Sequence, residues 1–461
     1  MFYNDNKLKI TDFEKGKSFG EALKKSNYRF LYNSIIGSLV SIDFWKAENE
    51  VLELLNGISG DEQELIKYFV LCYPIEEKII LKKLGQKSID FLIESGLANK
   101  VDTKLIPNGY AILPVNDLYL ILSLPNFYSN SKSKFTDIYI GQDSARLGQM
   151  INKRDFNRVL DLCAGSGIQG MNLIDNAEEI NAVEMNDTAF IAAKLNQMIN
   201  NIPENVYQIY KGDLYNVLGE KVYDCIISNP PYVPSPKNIE LPMCGAGGED
   251  GMKIARRIVD GYETHLAENG RAYMVLECIG DEEKPYIIDY LYKKIGKGII
   301  NASLINRQPI EFQSAASAEL TTRFYDDPEN YVKYKKIWDE MFRKQSVEYI
   351  YPVVIEYIKE DCPLTLNIVH NYLKWNTHSK FIFNNIDKKI ESIEYYKIRA
   401  KDNEIKYVKR DFMDLLLENQ GKSVCEIVKE ENCSEQEYCR VLEDYIRRLM
   451  LLEQQHILER R

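Results

Sequence analysis

The stretch Val159-Leu160-Asp161-Leu162-Cys163-Ala164-Gly165-Ser166-Gly167-Ile168-Gln169-Gly170 decides how this chain folds. It opens as the apolar run of a strand, passes through a glycine-rich turn and enters a helix. Gly165, Gly167 and Gly170 let the backbone approach a ligand where a side chain would block it. Outward from this stretch, from Asp155 to about Asn306, short β-branched or apolar runs alternate with helical segments. The pattern predicts strands over Arg158 to Leu162, Glu179 to Glu184, Val206 to Lys211, Tyr223 to Ser228 and Gly270 to Cys278. The fold class is therefore α/β, a doubly wound Rossmann-like sheet with ligands at the carboxyl ends of its strands.

Gly165-x-Gly167-x-x-Gly170 also satisfies the dinucleotide fingerprint, so a nicotinamide enzyme is one reading. Asp161 argues against it. A carboxylate beside the turn repels a pyrophosphate and suits the ammonium and hydroxyls of a cationic methionine derivative. Glu184 ends the second strand about twenty residues after the turn, where an acidic side chain accepts hydrogen bonds from ribose hydroxyls. Gly212-Asp213-Leu214 follows the third strand, with Asp213 placed to accept from an adenine amino group and Leu214 to pack on the ring. Taken in order at successive strand ends, these residues predict an adenosyl ligand, S-adenosyl-L-methionine.

Asn229-Pro230-Pro231-Tyr232 follows the fourth strand directly. By itself the tetrapeptide reads as a rigid strand exit, because two prolines fix φ and end the ladder. Beside a methyl donor it acquires a mechanical meaning, since methyl transfer is an in-line displacement governed by alignment of the nucleophile. The Asn229 side-chain oxygen and the Pro230 carbonyl can accept both N–H bonds of a planar NH2 group, and Tyr232 offers a face for stacking.

The span from about Asp143 to Gly280 resembles the N-methyltransferases of the class I S-adenosylmethionine-dependent fold with an NPPY motif, most closely the HemK-like release-factor glutamine methyltransferases. The residues that carry the resemblance are Asp161-Leu-Cys-Ala-Gly-Ser-Gly167, Ala182-Val-Glu-Met-Asn186, Gly212-Asp213, Ser228-Asn-Pro-Pro-Tyr-Val-Pro234 and Gly247-Gly-Glu-Asp-Gly251. It implies that Asn229, Pro230, Pro231 and Tyr232 hold a side-chain amide. It implies equally that Asp161, Cys163, Gly165, Gly167, Glu184, Met185, Asp213, Leu214 and Asn229 surround the cofactor. Cys163 stands where that family often has the first glycine of its turn.

The flanks depart from the family. Helices are expected over Glu62 to Leu71, Ile75 to Leu84 and Lys87 to Ser95, followed by a hairpin turning at Pro107 to Gly109, the layout of a winged helix. Asn126 to Lys134 has the composition of a linker. Beyond Gln308 the chain reads as mainly helical, with a stripe of Tyr438, Val441, Leu442, Tyr445, Ile446 and Leu449 near its end and a capping box at Ser434 and Glu437. These readings divide the chain into 1–134, 135–308 and 309–461.

The 461 residues are 45% hydrophobic and 28% charged, a soluble globular composition, and the net charge of −11 argues against a general electrostatic grip on nucleic acid. Nine scattered cysteines with no C-x-x-C pair, and four histidines, indicate neither a metal site nor a disulfide framework. A polar, mixed-charge Met1 to Lys17 is no signal peptide, and Ala111 to Leu124 is too short and interrupted to span a bilayer. A cytoplasmic enzyme is expected, methylating a planar amide or amine nitrogen of a peptide, protein or small-molecule acceptor, without a membrane partner. Methylation of an RNA or DNA base of the adenine N6 type is the alternative, since the same tetrapeptide serves that chemistry.

Overall fold

The computed structural model describes residues 8–36, 48–58, 60–123, 138–304, 307–325, 327–370, 379–384, 387–390, 395–399, 405–430, 435–454 and 457–460. The predicted linker at Asn126 to Lys134 and the cap at Ser434 lie outside them. The chain forms two compact units, one of residues 1–278, 286–304 and 352–369, the other of residues 279–285, 305–351 and 370–461.

The first unit is built on a sheet with strand order Thr365–His370, Lys297–Leu304, Tyr349–Pro363, Leu266–Gly280, Tyr223–Ser228, Phe156–Leu162, Ala177–Glu184 and Tyr207–Lys211. Phe156–Leu162 runs parallel to both of its neighbours, and Lys297–Leu304 is antiparallel to Tyr349–Pro363. The central strands are apolar without alternation: Val159, Leu160, Leu162, Cys225, Ile226 and Ile227 are all fully buried, as strands covered on both faces require. All five predicted strands are present, with ends moved by up to four residues.

Helix Asp187–Ile199 starts at the Asn186 side chain, which accepts from the Ala189 N–H at 2.9 Å. It has a second task. Its Asn200 pairs with both backbone groups of Tyr119, accepting at 2.9 Å and donating at 2.8 Å, while Asn196 accepts from the Ile121 N–H at 2.7 Å. The two asparagines, one turn apart, act as an edge partner for strand Leu118–Ser123. Asn196 also donates to the Ser166 carbonyl at 2.9 Å, so the same buried side chain anchors the glycine-rich turn. Helix Phe13–Lys25 crosses this helix closely, and a Cβ at Gly20 would stand 1.7 Å from the Ile199 carbonyl oxygen.

In the N-terminal part, helices Glu62–Phe69, Glu77–Leu84 and Gln86–Glu94 match the expected three, while Ile75–Glu76 is a short strand. Pro107 to Gly109 separates two hairpins and is not itself a hairpin turn. One hairpin is Ala98–Val101 with Lys104–Pro107, turning at Asp102, and the other is Tyr110–Val115 with Leu118–Ser123, turning at Asn116. Both turn residues have positive φ, a conformation that Asp and Asn tolerate through local hydrogen bonding.

The expected boundary at 308 meets a chain that leaves the sheet there and comes back to it. Val353 to Pro363 completes the sheet against Lys297–Leu304, burying Ile300, Ala302 and Leu304 along with Val353, Val354 and Ile355. The second unit holds helices Ile310–Phe324 and Tyr331–Lys344, then a core around Phe381, Ile398, Met413, Leu416, Val424, Leu442 and Leu449. Its helices Arg410–Glu418, Val424–Glu430 and Glu435–Gln454 accompany an antiparallel sheet of Asp387–Ile390, Tyr395–Arg399 and Ile405–Lys409, so the tail is helical and stranded together. Leu442, Tyr445, Ile446 and Leu449 of the expected stripe are buried.

Candidate active site

The turn after strand Phe156–Leu162 takes its shape from three left-handed positions: Cys163 at φ 59°, Gly165 at 55° and Gly167 at 84°. A non-glycine residue in that region carries about 1–2 kcal/mol of strain. This explains why glycine suits position 163. Burial pushes the Cys163 thiol well above its usual range, with the Glu184 carboxylate adding to the effect, so it is no nucleophile at neutral pH.

Asp161 is 1% exposed, and its Oδ2 accepts from the Gly170 N–H at 2.9 Å at the start of the following helix. Burial raises its pKa to about 7, against the opposing Gly170 hydrogen bond. Glu184 ends its strand with Oε2 accepting from the Gly165 N–H and Oε1 from the Asn186 N–H, both at 2.7 Å. Burial raises its pKa too, opposed by those hydrogen bonds. Asp213 is held by Arg257 of helix Lys253–Asp260 in a two-pronged ion pair, at 3.0 Å to Oδ1 and 2.8 Å to Oδ2. Leu214 beside it is buried, whereas Met185 is half exposed.

The acceptor end expected from the sequence is the strand exit at Asn229. The Asn229 Nδ2 donates to Asp143 Oδ2 at 2.8 Å and to Ser144 Oγ at 3.2 Å, and the Tyr232 hydroxyl donates to the same Asp143 oxygen at 3.2 Å. Asp143 and Ser144 lie in the first turn of helix Gln142–Met150. Glu277, on strand Leu266–Gly280, belongs to the same cluster: burial raises its pKa, the Asp143 charge adds to that, and Arg146 opposes it. The Tyr232 hydroxyl is pushed well above its usual range by burial and then by the Glu277 and Asp143 charges.

The Gly247 to Gly251 loop is a packed brace rather than a slack connection. Gly247 N–H donates to the Val233 carbonyl at 2.9 Å, Val233 N–H to the Gly245 carbonyl at 2.8 Å, and Ser235 N–H to the Gly248 carbonyl at 2.8 Å. At Gly251, φ is 72° and a Cβ would lie 2.2 Å from the Tyr232 carbonyl oxygen, so only glycine allows the approach. Helix Lys253–Asp260 follows, with Arg256 paired to Asp250 of the loop and Arg257 to Asp213. That helix ties the two ends of the site together.

The chemistry of unsatisfied groups fits a cationic methionine derivative. Among the described residues Asp161 Oδ1 and Gln169 Oε1 are buried acceptors without a partner, and the Ser166 hydroxyl is unpaired as well. Each such group costs about 1–3 kcal/mol, and what they lack is mostly a donor, which an ammonium group supplies. Among the described residues no group of His, Cys, Asp and Glu could hold a metal ion, and no helix is long and apolar enough to cross a membrane.

The sheet, the turn and the strand-end carboxylates make the central part of the chain similar to a methyltransferase domain. Residues 121–285 match the family model described as the methyltransferase small domain. The chain is 33% identical over 150 residues to a release factor glutamine methyltransferase of Thermodesulfovibrio yellowstonii, a match covering 30% of this chain and 52% of that one. It is 35% identical over 175 residues to a ribosomal protein uL3 glutamine methyltransferase of Bradyrhizobium diazoefficiens, covering 34% of this chain and 54% of the relative. A ribosomal protein uL3 glutamine methyltransferase of Burkholderia pseudomallei is 37% identical over 142 residues, covering 27% and 45%. The chain thus spans about half the length of the curated relatives it matches, and the HemK-like resemblance belongs to the central part.

The sequence reading did not single out Asp143, Ser144, Glu277 or Arg257. Asp143 and Ser144 carry no local signature beyond a helix start, and nothing in the spacing of 86 residues between Asp143 and Asn229 announces that they meet.

Proposed function

We propose that this protein is an S-adenosylmethionine-dependent N-methyltransferase whose acceptor is a planar amide or amine nitrogen of a peptide, protein or metabolite, with a protein side-chain amide the acceptor favoured by the relatives' names. One observation carries the reading. The Asn229 carboxamide has its NH2 tied to Asp143 and Ser144, so its carbonyl oxygen is the edge left for a ligand. Beside it the Pro230 carbonyl lies past the end of strand Tyr223–Ser228. Two acceptors on adjacent residues suit the two N–H bonds of a planar NH2 group.

When bound, S-adenosylmethionine supplies a methyl carbon on a positively charged sulfur that leaves readily. Asp161, Cys163, Gly165, Gly167, Glu184, Met185, Asp213 and Leu214 would hold it, with Glu184 at the ribose and Asp213, braced by Arg257, at the adenine edge. Asn229 and Pro230 draw density onto the acceptor nitrogen and aim its lone pair, while Pro231 keeps the strand exit rigid and Tyr232 supplies the stacking face. A C–N bond forms as the S–C bond breaks, and the nitrogen releases its proton after transfer.

We read the N-terminal helices and their hairpins as a winged-helix-like docking element for the acceptor. Its lysines support a protein partner over nucleic acid, because Lys82, Lys83, Lys100 and Lys104 are paired with Asp61, Glu62, Glu77 and Glu76. Neutralised cations release few phosphate counterions. A cytoplasmic setting accords with the free cysteines.

The experiment offers tritiated S-adenosylmethionine with a glutamine-containing acetylated peptide amide, the proteins of a cell extract, and total RNA and DNA. Label that enters the peptide or protein fraction and is lost in Asn229→Ala, with cofactor binding retained, supports the proposal. Label confined to nucleic acid sinks it.

A further inference from the structure

We propose that Asp143 is a positioning residue for methyl transfer, which sets the orientation of both Asn229 and Tyr232 through a single carboxylate oxygen. The inference rests on the function proposed above and deepens its account of the acceptor site. Asp143 Oδ2 receives the Asn229 Nδ2 at 2.8 Å and the Tyr232 hydroxyl at 3.2 Å. Were the Asn229 amide turned over, its carbonyl oxygen would face the carboxylate, acceptor against acceptor, and its NH2 would confront the acceptor NH2. Only one of the two orientations presents an oxygen to the substrate, and the Asp143 charge selects it.

The carboxylate does not hold this place for stability. It is 7% exposed, its Oδ1 is buried without a partner among the described residues, and the half-buried Glu277 is near enough to feel its charge, two acidic groups with Arg146 as the neighbouring cation. An unpaired buried oxygen and a like-charge neighbour both weaken the fold. Asp143→Asn removes the charge and keeps the volume, so a merely structural group and a positioning group give opposite results. The carboxamide introduced by that substitution could present either its oxygen or its NH2 to Asn229, and both orientations of Asn229 become available.

The test compares wild type, Asp143→Asn and Asp143→Glu in the full chain. We expect Asp143→Asn to melt no lower than wild type and to bind S-adenosylmethionine within about twofold. Its kcat on a glutamine-containing acetylated tripeptide amide should fall about 100-fold with KM little changed, the scale of a misplaced reacting group. With asparagine-selective 15N labelling, the Asn229 side-chain protons should lose the downfield shift that a carboxylate partner confers. Asp143→Glu, which moves the carboxylate by one methylene, should show the same loss of kcat and serves if the first variant fails to fold. A kcat within about threefold of wild type, or unchanged Asn229 side-chain resonances, overturns the proposal. Should wild type leave the tripeptide unmodified, the proposed acceptor class fails separately, and the Asn229 resonances still decide the role of Asp143.

Discussion

The proposed donor and acceptor ends of the site are built on different plans. At the proposed donor end, Asp161, Glu184 and Asp213 stand at the ends of three strands, and two of them are held by backbone N–H groups: Gly170 on Asp161, and Asn186 with Gly165 of the glycine-rich turn on Glu184. At the acceptor end, Asn229 and Tyr232 depend on side chains from elsewhere, Asp143 and Ser144 from a helix 85 or more residues earlier. A site held by its own backbone is as reliable as the local fold. One held by distant side chains can be disabled while the fold stays intact.

That contrast makes the largest expected effect Asn229→Ala, which should cut transfer by about 100- to 1,000-fold, the scale for losing one preorganised hydrogen-bonding group. Calorimetric titration with S-adenosylmethionine should show affinity unchanged, and a joint loss of binding and transfer would erase the distinction between the ends. The converse substitution, Glu184→Gln, should weaken cofactor binding by about 10- to 100-fold as charge-assisted hydrogen bonds are lost, measured by the same titration. With saturating cofactor its kcat should recover.

Asn196→Ala probes the scaffold behind the donor end. It leaves the Ile121 N–H and the Ser166 carbonyl without partners in a fully buried place, and should cost about 3 kcal/mol in urea unfolding. A loss under about 1 kcal/mol would mean that the hairpin finds other support.

Asp161 gives a pH effect with a definite sign. Its folded pKa of about 7 lies above the ordinary value of 3.8, so between those values the folded state binds more protons than the unfolded. The associated stability is complete below about pH 4 and is lost as pH rises through about 7. Asp161→Asn should therefore gain on wild type as melting is followed from about pH 4 to about pH 8. A cationic ligand favours the ionised carboxylate, so cofactor binding at about pH 6.5 should release protons, seen as a buffer-dependent heat. The smallest change is Cys163→Gly, which relieves the strain at φ 59° and should raise stability by up to about 1 kcal/mol.

Periodicity located the central parallel strands, Phe156–Leu162 and Tyr223–Ser228, because their inner residues are buried on both faces and read as apolar blocks. It missed the return of Val353 to Pro363, since a strand that pairs with Lys297–Leu304 across a long excursion has no local mark of its partner. It also placed one hairpin turn where there are two, because Pro107 to Gly109 has turn composition and Asp102 has only a tolerance for positive φ. The mixture of helices and short strands beyond residue 380 was hidden in the same way: strand pairing is a long-range property, and Lys-rich and Tyr-rich runs suit either state.

By itself the sequence determined the local frame of the proposed donor end, because strand, turn and helix are contiguous there and the glycines, with Asp161, Glu184 and Asp213, fall in fixed order along the chain. It determined equally that Asn229 to Tyr232 leave the sheet at the carboxyl end of a strand, the edge where we propose the chemistry. Only the tertiary structure decided which edge of the Asn229 amide faces outward, for that depends on Asp143, and hydrogen-bond direction is settled by what a side chain meets in space, not by what precedes it in the chain.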